Sequence, residues 1–297
     1  MAYVAGWVSS VFLVGSLAQA QTNLIRQPTP GPDSPLKQIP GWIPGQFIQL
    51  NGIRLYYETY GPASSSNVVL LLHGGTASIE SFFNQIPVLA KNYRVIAPDS
   101  RGQGRTQDSD QPITYDSMAA DMVALLHHLQ LANVNVVGWS DGGIIALDMA
   151  MHHPELVKKL VAIGTNYRVD GTTEDFRTSV KTNGPNDHLP FLIDNYKQLT
   201  PDGSNHWPVV YGKLQSMWLN SPNFSEQDLA KVSCPALIMI GDHDIIKPEH
   251  SVRLYQILPK GQLCVVPNAS HFGPVEKPEL VNGIILTFLG EDATQSH

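Results

Sequence analysis

The sequence predicts an α/β fold with a mostly parallel central sheet, helices on both faces and an inserted helical cap. Short apolar, β-branched runs recur along the chain, and each ends in Gly, Asp, Asn or Ser. Stretches of helical periodicity lie between the runs, as the crossovers of a parallel sheet require. This alternation stops between residues 166 and 231. Because function in such sheets gathers at the carboxyl ends of the strands, the polar residues there are the candidates for a site.

The first 44 residues differ from the rest of the chain. The apolar stretch "WVSSVFLVGSLAQA" ends in Ala18-Gln19-Ala20, which is the small-x-small pattern of a signal-peptidase site. Residues 1–20 are therefore predicted to be a signal peptide, and we expect export to the periplasm or the medium. The first ten residues contain no Lys or Arg, so a cytoplasmic protein or an uncleaved membrane anchor stays open. Residues 21–44 are rich in Pro and without a period, which indicates a linker.

The pattern becomes regular from Gln46. "FIQLNGIRLYYETYG" holds two extended runs around Asn51-Gly52, and this predicts a hairpin because both residues tolerate positive φ. The continuous apolar run "NVVLLLHGG" predicts a strand covered on both faces. Later runs repeat that form: "YRVIAPDSRGQG", "VNVVGWS", "VKKLVAIGT", "CPALIMIGD" and "GQLCVVPNASH". The helical spacing is clearest for one set of apolar residues: Met118, Met122, Leu125, Leu126 and Leu129.

The interrupted region divides the predicted fold. Residues 45–165 and 232–292 are predicted to form the core, and residues 166–231 a cap inserted after a strand. The cap segment mixes loop clusters such as "TNGPNDHLP" with helical pieces such as "PVVYGKLQSMWL". We expect this cap to cover the site at the sheet edge.

The composition excludes several classes of function. The chain has 297 residues, of which 42% are hydrophobic, and a formal net charge of −7. No Lys/Arg run marks a surface for nucleic acid or anionic lipid, so we expect a small-molecule substrate and no stable membrane insertion once the leader is removed. The two cysteines, Cys234 and Cys264, are too few for a disulfide framework and are predicted to be buried free thiols. The oligomeric state is left open.

The stretch "VVGWSDGGII" places Ser140 between glycines at the point where a strand should turn into a helix. A serine hydroxyl becomes a nucleophile when a base takes its proton, and it must project from the backbone to reach a substrate. Gly138 and Gly142 lack the Cβ atoms that would collide in so tight a turn. G-x-S-x-G between a strand and a helix is typical of a nucleophile elbow, so Ser140 is the predicted nucleophile.

With a nucleophilic Ser140, the expected chain order is serine, acid and then histidine. His271 follows a late strand in "VVPNASHFGP", and it is the predicted base. Both Asp242 and Asp244 in "IMIGDHDIIKP" qualify as the acid. Asp242 ends the strand and can cap the turn, whereas Asp244 projects further towards His271, so we choose Asp244. The Asp-His-Asp sequence also resembles a metal site, but no further ligands cluster near it in the sequence, and neither a metal nor a cofactor is expected.

An oxyanion hole needs two backbone N–H groups aimed at the carbonyl oxygen. One is predicted to be that of Asp141, at the start of the helix. The other is predicted to come from the "HGGTAS" loop, at Gly75 or, failing that, at Thr76. His73 in the same loop is interpreted as a structural partner. The carboxylate of Asp141 could attract a substrate ammonium group, although capping the helix is its commoner use.

The substrate contacts are the least certain part of the prediction. Trp139 neighbours the nucleophile, and His206 and Trp207 in the cap are of the type that lines pockets, although tryptophan is more often packed. "DSRGQGRT" contains Gly-x-Gly but lacks both the third glycine of a dinucleotide fingerprint and the Gly-Lys-Ser/Thr of a P-loop. It is therefore interpreted as a structural turn.

Together these motifs resemble those of an α/β-hydrolase-fold esterase. "LLHGGTAS", "DSRGQGRT", "VVGWSDGG", "GDHDIIKP" and "NASHF" stand in that family's order over roughly residues 45–290. "GWSDGGI" and the cap position are similar to those of the biphenyl-hydrolase-like (valacyclovir hydrolase) branch and of bacterial carboxylesterases. The resemblance implies a triad of Ser140, Asp244 and His271 acting on carboxylic esters of small to medium size. Three alternatives stay open: another chemistry of the same triad (lactonase, amidase, C–C hydrolase or perhydrolase), a non-catalytic ligand-binding protein, and a protein tethered by its leader.

Overall fold

A computed structural model describes residues 34–290. The predicted signal peptide, residues 1–20, and residues 21–33 of the predicted linker lie outside the described residues. Eight strands form one sheet in the order β1-β2-β4-β3-β5-β6-β7-β8. These strands are β1 (Ile43–Leu50), β2 (Ile53–Tyr60), β3 (Val68–Leu72), β4 (Arg94–Pro98), β5 (Val134–Trp139), β6 (Val157–Ile163), β7 (Ala236–His243) and β8 (Gly261–Ser270).

The sheet is antiparallel only at its beginning. β1 pairs with β2 and β2 with β4 in antiparallel fashion, and every later pair is parallel, so the predicted fold class is confirmed. Asn51 (φ 44°) and Gly52 (φ 78°) form the predicted hairpin turn. The predicted end of the linker is wrong by two residues, because β1 begins at Ile43. Pro44 is compatible with that strand, since β1 lies at the edge of the sheet.

Ten α-helices surround the sheet in the described part of the chain. Alternate residues of β3 point to opposite faces, so that Leu70 and Leu72 join one apolar cluster and Val69 and Leu71 join the other. Both faces of the sheet are thus covered. The helices are α1 (Ile86–Leu89), α2 (Tyr115–His128), α3 (Asp141–His152), α4 (Glu174–Thr182), α5 (Pro190–Leu199), α6 (Trp207–Asn220), α7 (Glu226–Leu229), α8 (Pro248–Ile257), α9 (Gly273–Glu276) and α10 (Pro278–Gly290).

Helices α4 to α7 all lie between β6 and β7, where the sequence predicts the cap. The cap is tied to the core by side-chain hydrogen bonds. Asn195 Nδ2 in α5 donates to Ser78 Oγ at 2.7 Å, and Lys213 Nζ in α6 donates to Asp108 Oδ2 at 2.8 Å. Between residues 34 and 290, no helix has both the length and the apolar character needed to cross a membrane.

Both cysteines are free, as predicted. Cys234 is buried, and burial raises the pKa of its thiol to about 11. Cys264 is only half-buried, so the prediction of a buried thiol is wrong for this residue. It lies in β8, which forms the other edge of the sheet and is therefore less covered than the central strands.

Candidate active site

Ser140 stands between the last residue of β5 and the first residue of α3. Its backbone has φ 56° and ψ −119°, a conformation that non-glycine residues seldom adopt. Such strain persists only where the surroundings determine the backbone, and it is common at functional sites. Here Ser140 N donates to Ile163 O of β6 at 2.8 Å. The turn therefore has the geometry of a nucleophile elbow.

The glycines around Ser140 are required by close backbone contacts. A Cβ atom on Gly138 would lie 2.2 Å from the carbonyl oxygen of Gly142. A Cβ atom on Gly142 would lie 1.9 Å from the carbonyl oxygen of Leu72. Since either contact is far inside van der Waals distance, no other residue fits at these two positions. The glycines let helix α3 start directly against β3 and β5.

His271 and Asp244 meet although 27 residues separate them in the chain. Asp244 follows β7 and His271 follows β8, so parallel neighbouring strands deliver both residues to the same edge of the sheet. The distance from His271 Nδ1 to Asp244 Oδ1 is 2.7 Å, and the Asp244 side chain is only 2% exposed. Asp244 Oδ1 also accepts from the amide of Ile246 at 3.1 Å. An ionised carboxylate only accepts, so Nδ1 carries the hydrogen and Nε2 of the neutral ring is free to take a proton.

Asp242, the alternative acid, has a different role. Its side chain is 39% exposed, and its Oδ1 accepts from the amide of Ala269 at 3.0 Å. The backbone amides of Asn268 and Ala269 hold the pKa of Asp242 below its usual value. This carboxylate therefore ties β7 to the backbone of its neighbour β8, and it does not cap the turn after β7, so the capping role predicted for Asp242 is wrong. The structure brings Asp244, and not Asp242, to His271.

Trp139 and Gly164 fix the position of His271. The indole of Trp139 donates from Nε1 to the carbonyl oxygen of His271 at 2.9 Å. Gly164, directly after β6, has φ 56°, and a Cβ atom there would lie 2.8 Å from His271 Nδ1 and 3.2 Å from Asp244 Oδ2. The His271–Asp244 pair thus lies against bare backbone. Trp139 also lines the cavity above Ser140, where the sequence placed it as a substrate contact.

The loop after β3 brings Gly75 to the nucleophile, and helix α3 starts at Asp141 beside it. Within residues 34–290, neither the amide of Gly75 nor that of Asp141 has a hydrogen-bond acceptor. Both are therefore available to an oxyanion in the cavity. The amide of Thr76, the fallback donor, instead donates to Gln103 Oε1 at 2.6 Å. Because that N–H is already used inside the protein, the structure favours Gly75.

The Asp141 side chain does not cap its helix. Its carboxylate is buried and lines the cavity. Tyr115 Oη donates to Oδ1 at 2.8 Å and Trp218 Nε1 to Oδ2 at 2.9 Å. Burial raises the pKa of Asp141 above its usual value, although the hydrogen bonds from Trp218 and Tyr115 oppose that shift. Trp218 belongs to α6, so this carboxylate also binds the cap to the core.

A cavity of about 360 Å³ joins these groups. Ser140 and His271 both line it, together with the proposed donor residues Gly75 and Asp141. Its apolar wall comes mainly from the cap, from the last residue of β5 and from the segment after β8: Trp139, Phe176, Val180, Leu189, Leu192, Tyr211, Trp218 and Phe272. This cavity is large enough to hold a small substrate against the serine.

Two of the predicted substrate contacts are wrong. His206 and Trp207 are absent from the cavity wall. His206 Nε2 lies 2.9 Å from Asp108 Oδ2 and so helps to hold the cap on the core. Trp207 is fully buried, with its Nε1 donating to the carbonyl oxygen of Pro185 at 2.8 Å. Packing, the commoner use of tryptophan, applies here.

Sequence reasoning missed His188 and Trp218, which both line the cavity. His188 Nε2 lies 2.8 Å from Thr76 Oγ1, and burial lowers the pKa of His188 to about 4. It lies within the loop cluster "TNGPNDHLP", which has no period, so the pattern offered no face on which to place it. Trp218 lies in a helical piece recognised as part of the cap, but nothing local distinguished it from Trp207.

His73 has the structural part expected of it. Its Nδ1 lies 2.7 Å from the carbonyl oxygen of Gly74, and its Nε2 accepts from the amide of Ser100 at 2.9 Å. Burial lowers the pKa of His73 to about 4, so the ring is neutral at pH 7. Among the described residues, no three His, Cys, Asp or Glu side chains gather as metal ligands. In the Asp242-His243-Asp244 sequence, the His243 side chain is 73% exposed, whereas Asp244 is turned inwards to His271.

Comparisons with known proteins assign the family. A family model described as the alpha/beta hydrolase fold matches residues 67–278. The chain therefore belongs to the α/β-hydrolase family, and the resemblance of its motifs to that family is confirmed.

Its relatives include hydrolases of different chemistry. The serine hydrolase BPHL of Homo sapiens is 30% identical over 238 residues, which cover 75% of this chain and 79% of that protein. The 2-hydroxy-6-oxo-6-(2'-aminophenyl)hexa-2,4-dienoic acid hydrolase of Metapseudomonas resinovorans is 26% identical over 271 residues, which cover 84% and 91%. Among solved structures, the carboxylesterase CesB from Bacillus subtilis is similar with a TM-score of 0.66 and 21% identity, covering 94% of this chain and 98% of that chain.

Proposed function

We propose that this α/β-hydrolase is a serine esterase that cleaves small to medium carboxylic esters through an acyl-enzyme. One observation carries the proposal. Ser140 at its strained turn and His271 bound to Asp244 open onto the same cavity, beside two amides that have no acceptor within residues 34–290. Nucleophile, base, orienting acid and oxyanion donors are the parts that acyl transfer requires.

The proposed mechanism uses Ser140 as nucleophile, His271 alternately as base and acid, and Asp244 as the residue that orients and stabilises His271. Ser140 Oγ attacks the ester carbonyl carbon while His271 Nε2 takes its proton. The amides of Gly75 and Asp141 stabilise the oxyanion that forms. As the bond to the alcohol oxygen breaks, His271 returns the proton to the leaving alcohol, and the acyl group stays on Ser140. Water then gives a proton to His271 and attacks the acyl carbon. The bond from that carbon to Ser140 Oγ breaks, His271 returns the proton to Oγ, and the acid is released, while Asp244 stays ionised and stabilises the imidazolium in both half-reactions.

The charges of the cavity wall disfavour a negatively charged substrate. Its ionisable wall residues include the carboxylates of Asp141 and Asp187, and no Lys or Arg is among the described residues that line it. The Metapseudomonas resinovorans relative is named for an acid substrate. A substrate carboxylate in this cavity would meet Asp141 without a compensating cation, which is unfavourable in a desolvated site. An ester is therefore preferred over the C–C hydrolase alternative. The volume of about 360 Å³ is at the small end of ligand pockets and fits short to medium acyl chains.

The test uses p-nitrophenyl esters of graded chain length and a fluorophosphonate that labels activated serines. We expect the wild type to be labelled and to prefer short to medium chains. Ser140→Ala should lose both label and turnover, by about 10⁵-fold or more in kcat. Ser251→Ala is the matched control, because Ser251 is fully buried in α8 and its hydroxyl has no hydrogen-bond partner among residues 34–290. Turnover surviving in Ser140→Ala would contradict the mechanism.

The same assays separate the remaining alternatives. Lactones and amides are tested beside esters, and the substrate class with the highest kcat/KM identifies the chemistry of the triad. An unlabelled, inactive wild type would favour a ligand-binding protein. Export by residues 1–20 is a separate proposal, supported by the Ala18-Gln19-Ala20 pattern, and sequencing the mature N-terminus tests it.

A further inference from the structure

The loop that carries Gly75 has a backbone that its own sequence does not favour. Thr76 has φ 60°, which is a genuine outlier for a β-branched residue. Such a conformation needs external contacts to hold it. Since Gly75 is flexible on its own, the direction of its N–H depends on what those contacts are.

The peptide group between Gly74 and Gly75 is held through its carbonyl. That oxygen accepts from the amide of Ala77 at 3.3 Å, and His73 Nδ1 lies 2.7 Å from it. Because His73 Nε2 already accepts a hydrogen bond, the neutral ring carries its hydrogen on Nδ1 and donates to Gly74. In a trans peptide the N–H points opposite to the C=O, so the amide of Gly75 faces the other way, as the oxyanion hole requires.

The next peptide group, between Gly75 and Thr76, is held through its N–H. That N–H donates to Gln103 Oε1 at 2.6 Å, and Thr76 Oγ1 donates to the carbonyl oxygen of Gly75 at 2.6 Å. If the amide of Thr76 lost its acceptor, this peptide could rotate about the flexible Gly75. A rotated peptide would alter the direction of the neighbouring Gly75 N–H or bring a carbonyl oxygen towards the developing negative charge.

Gln103 lies in the turn after β4, and the backbone of that turn directs its side chain to the amide of Thr76. It is 1% exposed, and its own backbone is fixed because its N–H donates to Ser100 O at 2.9 Å and its carbonyl accepts from the amide of Thr106 at 3.0 Å. Gly102 (φ 68°) and Gly104 (φ 55°) flank it. A Cβ atom on Gly104 would lie 2.3 Å from Asp99 Cγ. The two glycines of "RGQG" thus allow a tight turn that directs one amide side chain inwards.

We propose that Gln103 is a positioning residue of the oxyanion hole: through the amide of Thr76 it holds Gly75 with its N–H towards the substrate. The inference rests on the proposed function, in which Gly75 is an oxyanion donor. Gln103 is absent from the cavity wall, so we expect it to make no contact with a substrate bound there. Its removal therefore affects the transition state more than substrate binding.

The experiment compares Gln103→Met with a matched control, Asn135→Leu. Asn135 is 2% exposed, and its Nδ2 makes one hydrogen bond, to Val68 O at 3.1 Å, far along β5 from Ser140. In each side chain the other polar atom has no partner among the described residues. Both variants thus remove one buried amide-to-backbone bond, but only Gln103→Met frees the oxyanion loop.

Three measurements are made on each protein: steady-state kinetics (kcat and KM) with a p-nitrophenyl ester, the rate of phosphonylation of Ser140 by a fluorophosphonate, and the inhibition constant of a trifluoromethyl ketone. Losing a whole oxyanion donor costs about 10²–10³-fold in kcat. A donor that is present but poorly held should cost about 10–100-fold in kcat, with KM nearly unchanged. Phosphonylation and trifluoromethyl ketone affinity should fall by the same factor, while Asn135→Leu stays within about threefold of the wild type.

Gln103→Glu is the second variant, and it covers the case in which Gln103→Met does not fold. It keeps an acceptor oxygen, and because Nε2 of Gln103 has no partner in the described part of the chain the change removes no hydrogen bond seen there. We expect its phosphonylation rate to approach that of the wild type. The inference is overturned if Gln103→Met reacts like the wild type, or if Asn135→Leu loses as much activity as Gln103→Met. It is also overturned if Gln103→Glu reacts as slowly as a folded Gln103→Met. Where Gln103→Met does not fold, a Gln103→Glu rate 10-fold or more below that of the wild type has the same meaning. These outcomes leave the proposed function intact, whereas an unlabelled wild type overturns both.

Discussion

The contact between Gly164 and the His271–Asp244 pair allows a quantitative prediction for Gly164→Ala. The added Cβ would lie 2.8 Å from His271 Nδ1, whereas ordinary contacts begin near 3.4 Å, so the ring must move by about 0.6 Å. Displacing a catalytic group by about 1 Å can cost about 10²-fold in rate. We therefore expect kcat/KM to fall by about 10- to 100-fold, which corresponds to ~1.4–2.7 kcal/mol in transition-state free energy.

The same substitution also strains the backbone, and this effect must be separated from the displacement. Alanine at the φ of 56° found for Gly164 should lower the free energy of unfolding by about 1–2 kcal/mol. Gly52→Ala is the matched control, because Gly52 has φ 78° and nothing within 4 Å of the added Cβ. It should lose similar stability in urea unfolding and keep its kcat/KM on a p-nitrophenyl ester. A Gly164→Ala enzyme as active as the wild type, or equal losses of activity in both variants, would refute the reasoning.

Two further predictions follow from ionisable groups. Asp244→Asn should lower kcat by about 10³–10⁴-fold, because it favours the wrong tautomer of His271. Asp242→Asn should keep kcat within about threefold of the wild type. Steady-state kinetics measure both, and equal losses of kcat would contradict the assignment of Asp244 as the catalytic acid. Burial lowers the pKa of three histidines from 6.5 to about 4, so the unfolded chain binds their protons more tightly and stability should fall as the pH drops from 6.5 to about 4. His250→Gln should reduce that slope by about one proton, or ~1.4 kcal/mol per pH unit, in urea titrations between pH 4.5 and 7.5; an unchanged slope would exclude His250 as a source. The three histidines are His73, His188 and His250.

The fold could be predicted because its signals are local. Each strand of the parallel part is a short apolar run that ends in turn residues, and Asn51-Gly52 marks the hairpin directly. The helical face of α2 could likewise be recognised from its spacing. The boundary at Ile43 could not, because Pro44 reads as a linker residue in the sequence although an edge strand tolerates it.

The contact between His271 and Asp244 could be predicted because the sheet topology implies that the two residues lie close in space, although the sequence gives no distance between them. Parallel neighbouring strands end at the same edge, so residues just past β7 and β8 must lie near each other. The choice between Asp242 and Asp244 depended on where the strand ends. β7 continues to His243, so Asp242 is still part of the strand and its carboxylate pairs with the β8 backbone, whereas Asp244 is the first residue free to turn inwards.

In the cap, helical periodicity does not predict which residues contact the substrate cavity. Trp207 and Trp218 lie in the same helix, α6, and their spacing of about three turns puts both on one face. Yet they are about 16 Å apart along the axis, at a rise of about 1.5 Å per residue. Only Trp218 reaches Asp141, while Trp207 packs within the cap. The buried face of such a helix can be predicted from its sequence. Which end of the helix lies over the nucleophile depends instead on contacts between cap and core. One such contact, between Lys213 and Asp108, joins residues 105 positions apart. Substrate contacts contributed by an inserted cap are therefore the part of the site that pattern reading is least able to predict.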